Sequence, residues 1–169
     1  MPYSFKQFLE EGRDAPLYHS TAYRSGCIIF EDNEIRARTY HIKKSMLDDK
    51  AKIKKAFSKR VFGGSDEYVD GVAGVSLTRN FKFAKSWGDI IFEVDQKRLT
   101  QRYKIIPFNY FVDQSSKPAN FRKEAEEFVI GNIFPLNKYL IKIHISVDYM
   151  SEFEERYGNK LKGIEVVGV

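Results

Sequence analysis

Short apolar runs separated by polar turns set the pattern of this chain, and most are too short to be helices. Leu17–Thr21 predicts a strand whose polar end, His19-Ser20-Thr21, needs an edge or a cleft, since buried hydroxyls need partners. Val75–Thr78, Ile90–Val94 and Tyr103–Ile106 predict three more strands, the last stopped by Pro107. Phe128–Ile130 starts another. From Tyr139 to Val147 the chain alternates, with Ile141, Ile143 and Ile145 predicted on one face and Lys142 and His144 on the other. Ile164–Val167 reads as a closing strand.

Helical signals are fewer. Ser4-Phe5-Lys6-Gln7 reads as a capping box opening a short helix, with Phe5, Phe8 and Leu9 on one face. Residues 27–30 are apolar and run into Glu31-Asp32-Asn33-Glu34, a turn-like cluster. Ile42, Met46, Ile53 and Phe57 recur at helical spacing with lysines between them, which predicts an amphipathic helix with a basic outer face. Val61–Gly74, rich in glycine, predicts a loop long enough to be functional. A helix over Asn80–Trp87 follows, capped by Thr78 or Asn80, with Phe83 and Trp87 four apart on one face. Asp95 caps a short turn through Leu99, residues 113–120 form a polar loop, and Phe121–Glu126 forms a helical turn. A last helix over Asp148–Tyr157 stops near Gly158. Strands with interspersed helices define an α+β class, with a mixed or antiparallel sheet and peripheral helices, in one domain over residues 1–169.

A length of 169 residues suits one core, and 43% apolar content fits a folded domain. The 14 Phe and 10 Tyr make much of that core aromatic. The net charge of +5 is unevenly placed. Lys43–Arg60 is strongly basic, opposed only by Asp48 and Asp49, and such an excess attracts phosphates or acidic partners. The lone Cys27 excludes an internal disulfide and reads as a small buried apolar residue. No bilayer-spanning run and no signal pattern stand out, so a cytoplasmic protein without a membrane partner is expected. No metal site is expected.

Three segments carry the candidate chemistry. His19-Ser20-Thr21 offers donors and acceptors at one strand end, which suits a sugar or a carboxamide. Gly74-Val75-Ser76-Leu77-Thr78-Arg79-Asn80 leads into Phe83, Ala84 and Trp87 as a strand, turn and helix. Glu124, Glu126 and Glu127 crowd at the start of a strand. On chemistry alone they are equally well a solvated helix end.

In this order the segments resemble the three-part signature of the ADP-ribosyltransferase superfamily, and most closely its small phage-type members and DNA-modifying toxins. The resemblance spans residues 17–145. It implies the family's split sheet with peripheral helices, NAD as the substrate, and mono-ADP-ribosylation of a macromolecule with release of nicotinamide. It implies that His19 bonds a ribose hydroxyl, supported by Ser20 or Thr21. Ser76 and Thr78 would line the same pocket, Arg79 would pair with the pyrophosphate, and Phe83 or Trp87 would stack on the nicotinamide. No Tyr stands in that helix, a departure from the poly(ADP-ribose) polymerase pattern.

Glu127-Phe128-Val129-Ile130 matches the register of the catalytic Glu in those polymerases, which implies Glu127 as the catalytic carboxylate. The alternative is Glu126, in a Glu124-Ala125-Glu126 motif like that of arginine-modifying members. Those members carry Arg where this chain has His19, which favours Glu127. The basic positions Lys43, Lys44, Lys52, Lys54 and Lys55 make DNA or RNA the first acceptor expected and protein the second. Two other classes stay open: an RNA 2′-phosphotransferase-like enzyme, which shares the fold, and a non-catalytic binding or inhibitor module on the same fold.

Overall fold

The structure is a computed structural model that describes residues 15–43, 68–107 and 126–169. In chain order the elements are β1 (Leu17–Thr21), α1 (Tyr23–Asp32), β2 (Arg38–Lys43), β3 (Tyr68–Thr78), α2 (Phe81–Trp87) and β4 (Ile90–Val94). They continue with α3 (Gln96–Arg102), β5 (Ile105–Pro107), β6 (Glu126–Ile130), β7 (Leu140–Ile145), α4 (Met150–Tyr157) and β8 (Glu165–Gly168). The strands join in the order β5-β6-β3-β1-β4-β7-β8, with β2 added to β3. Among the described strands only the pair β7–β8 is parallel, so the sheet is mixed and the class is α+β.

Register decides which face each residue takes. Leu17, Phe92, Val94, Ile143, Ile145, Leu77, Val75 and Val129 pack together with Cys27, Phe153 and Tyr157 in one buried core. The helices α1 and α4 cover that face, and Phe30, Phe153 and Tyr157 meet as a cluster of tilted rings between them. Gly26 lets α1 sit down on β4, because a Cβ there would come within 2.7 Å of the Ile90 side chain. Ala22 gives α1 no side-chain cap. Instead the Tyr23 N–H donates to Asp89 Oδ2 at 3.0 Å, and the Asp89 N–H donates to the Thr21 carbonyl. One residue therefore ties the end of β1 to the start of α1.

The opposite face carries the smaller layer. There α2 buries Ala84 and sets Phe81 against Tyr18 and His144, with ring centroids 5.3 and 4.7 Å away. The alternation of β7 holds, with Ile143 and Ile145 in the core and His144 on the opposite face under this cover. His144 is buried and its Nε2 lies 2.6 Å from Glu93 Oε2, while Ile141 is exposed.

Several other boundaries shift. The apolar stretch at 27–30 belongs to the helix α1, whose polar outer residues hid its period. The predicted helix start at Ile42 and Lys43 is the end of strand β2, paired antiparallel with β3. The predicted loop Val61–Gly74 gives way to strand from Tyr68 onward. Gly74 reads as a loop residue but is needed in the strand, because a Cβ there would lie 2.4 Å from the Phe128 ring. Asp95 caps the helix α3, which runs on to Arg102. Glu126 belongs to β6 rather than to a helical turn. The capping box at Ser4–Gln7, the rest of the basic helix after Lys43, the polar loop at 113–120 and Glu124 lie outside the described residues. Among the described residues no helix is long and apolar enough to cross a membrane.

Candidate functional site

A split in the sheet makes the site. β1 pairs with β4 along its whole length, from Leu17↔Val94 to Thr21↔Ile90. It meets β3 in register only at Tyr18↔Thr78. Beyond that point the strands part, and the His19 side chain enters the gap. Its Nδ1 lies 3.0 Å from the Ser76 carbonyl oxygen. A carbonyl only accepts, so Nδ1 carries the proton and donates. Burial, with the Arg38 charge acting in the same direction, lowers the His19 pKa against the opposing Ser76 bond. The ring is therefore neutral at pH 7, and Nε2 keeps a lone pair that can accept a hydroxyl proton.

The gap opens into a cavity of about 550 Å³, within the range of small-molecule sites. His19, Ser20 and Thr21 line it from β1, Ser76 and Thr78 from β3, and Phe83 and Trp87 from α2. Ile28 and Ile29 of α1 add an apolar side, and Asp32, Glu34, Arg36 and Arg38 add charge. Thus residues as far apart in the chain as Tyr18 and Trp87 share one space.

The polar groups differ in how far the fold already uses them. Thr78 Oγ1 accepts from the Asn80 N–H, and Asn80 Oδ1 accepts from the Phe83 N–H, so both candidate caps act in series. The Ser20 hydroxyl oxygen is buried and has no hydrogen-bond partner among the described residues, a group that a ligand can satisfy. Trp87 is 59% exposed, and its ring stands 5.7 Å from that of Phe83, giving the cavity an aromatic rim.

Arg79 and Glu127 do not line this cavity. β6 pairs with β3 so that Glu127 stands opposite Leu77 and Glu126 opposite Thr78. Glu127 is only 6% exposed, and its Oε1 lies 2.8 Å from Arg79 Nε. Burial raises the Glu127 pKa, and the Arg79 charge opposes that rise. A carboxylate fixed by Arg79 thus sits one strand from the cavity. Its counter-ion is the arginine that the sequence reading gave to a ligand.

Sequence reasoning missed Arg38, Ile28 and Tyr18 as cavity residues. The alternation of Arg36 and Arg38 after the turn at 31–34 marks a strand edge but not what it borders. Among the described residues no group of three or more His, Cys, Asp or Glu side chains is placed to hold a metal ion. The chain matches no family model, and no curated protein is similar to it in sequence.

Proposed function

We propose that this protein is an NAD-dependent mono-ADP-ribosyltransferase that modifies a macromolecule, nucleic acid before protein, and releases nicotinamide. The observation that carries the reading is convergence. Three segments far apart in the sequence lie on the adjacent strands β1, β3 and β6, and two of them border a single cavity. That cavity holds a neutral imidazole, an orphaned hydroxyl and an aromatic rim, groups suited to a ribose and a flat amide ring.

In this reading His19 Nε2 accepts from a ribose hydroxyl, and Phe83 or Trp87 stacks on the nicotinamide. The C1′–N bond breaks and its electron pair leaves with the nicotinamide. Positive charge on the ribose is met by the Glu127 carboxylate, which Arg79 holds in place. The acceptor nucleophile bonds C1′, and its proton passes to Glu127. The basic positions Lys44, Lys52, Lys54 and Lys55, with Lys43 at the end of β2, favour a phosphate-bearing acceptor.

One observation favours the non-catalytic alternative: Glu127 is buried and outside the cavity wall. Incubating the protein with NAD and DNA, RNA or lysate protein, and weighing each acceptor by mass spectrometry, separates the two. A gain of one ADP-ribose supports the transferase. NAD binding without any transfer supports a binding module, and activity on 2′-phosphorylated RNA supports the phosphotransferase-like class.

A further inference from the structure

The cavity wall carries two arginines in different states. Arg36 is held by two carboxylates, 2.9 Å from Asp32 Oδ2 and 3.4 Å from Glu34 Oε2. Glu34 also accepts from the Asn132 side chain at 2.7 Å. Arg38 is exposed on β2 opposite Gly74, and among the described residues no carboxylate pairs with it. Its charge reaches His19 across the cavity and helps to keep that ring neutral. Arg79, the other candidate cation, is engaged by Glu127 on the far side of β3.

We infer that Arg38 is the residue of this cavity that binds the ligand's phosphates, with Arg79 kept as the positioning partner of Glu127. The inference deepens the proposed function and rests on it for the identity of the ligand as a diphosphate-bearing nucleotide. A guanidinium at an open cavity wall can meet two phosphate oxygens at once with its parallel N–H groups. Asp32 and Glu34 stand nearby but are turned to Arg36, so among the described residues of this wall Arg38 is the cation left for an incoming anion. The neutral state of His19 also fits this division. The imidazole bonds a hydroxyl, and the anion is left to the arginine.

The test measures binding of ADP-ribose, inorganic pyrophosphate and nicotinamide riboside by calorimetry to the full chain and to Arg38→Gln, Arg38→Lys and Arg79→Gln. The expected result is a loss of at least tenfold in ADP-ribose affinity in Arg38→Gln, with partial recovery in Arg38→Lys. Nicotinamide riboside, which has no phosphate, should bind unchanged. ADP-ribose affinity should also weaken with salt in the parent and much less so in Arg38→Gln. Equal losses for ADP-ribose and nicotinamide riboside would overturn the inference, because Arg38 would then only shape the cavity. So would a tenfold loss in Arg79→Gln with none in Arg38→Gln. If the parent binds pyrophosphate through Arg38 but neither NAD nor ADP-ribose, the transferase reading fails and the anion site stands.

Discussion

Arg79→Met removes the cation that faces Glu127 at 2.8 Å, where the two side chains keep 23% and 8% of their surface exposed. A carboxylate is then stranded on β6 among apolar neighbours. Losing one partner of a fully buried ion pair costs about 3–5 kcal/mol. Arg79 is partly solvated, which scales the expected cost to about 2–3 kcal/mol. Glu127→Gln removes the charge but keeps a polar side chain of the same shape, at about 1–2 kcal/mol. The double variant holds no buried charge, so it should be less destabilised than the sum of the two, by about 1–2 kcal/mol. Urea unfolding of the four proteins at pH 7, followed by circular dichroism, measures this, and thermal scans should move by about 2–4 °C per kcal/mol. The pH dependence gives a second check. Once Glu127 takes up a proton there is no charge to strand, so the cost of Arg79→Met shrinks on acidification. Because burial raises the Glu127 pKa, that shrinkage begins above the ordinary carboxylate value of 4.5. Costs that add to within about 0.5 kcal/mol and do not change with pH would refute the reasoning.

Other perturbations reach the same site from different sides. Burial holds the His19 pKa below 6.5, so the unfolded chain takes up its proton first as the pH falls. Stability is then flat above about pH 6.5 and drops below it, and His19→Gln should remove that part of the slope. A variant profile parallel to the parent's would contradict this. A Cβ at position 88 would lie 2.4 Å from the Thr21 carbonyl oxygen, a backbone atom that cannot swing aside. Gly88→Ala should therefore destabilise the fold by about 1–3 kcal/mol in thermal unfolding, and a parental melting temperature would show that β1 and α2 have room to part. Reversing charge at Lys52, Lys54 and Lys55 should weaken nucleic-acid modification in gel assays, most of all as salt rises. Unchanged modification would make those lysines an ordinary solvated surface.

Local signals carried much of the fold and part of the site. β1 and β4 fall at their predicted bounds because each is a compact run, β4 ended by the capping Asp95. Phe83, Trp87, Ser76 and Thr78 come to one cavity because strand and helix periods fix their faces locally. What failed depended on partners distant in sequence. Gly74 looked like loop because the Phe128 ring that excludes a Cβ lies on another strand. The burial of His144 could not be read locally, because the covering ring, Phe81, comes from α2. The pairing of Arg79 with Glu127 could not be read locally, because the two meet only once β6 pairs with β3. The split itself, a single register pair between β1 and β3, leaves no local mark in either segment.

Nicotinamide release from NAD, followed by mass spectrometry in the parent, Glu127→Gln and Glu126→Gln, tests the central claim most directly. The account predicts release by the parent, its loss in Glu127→Gln with NAD still bound, and substantial release in Glu126→Gln. Full release by Glu127→Gln would contradict the assignment of the carboxylate. No release by the parent with any acceptor would contradict the transferase itself.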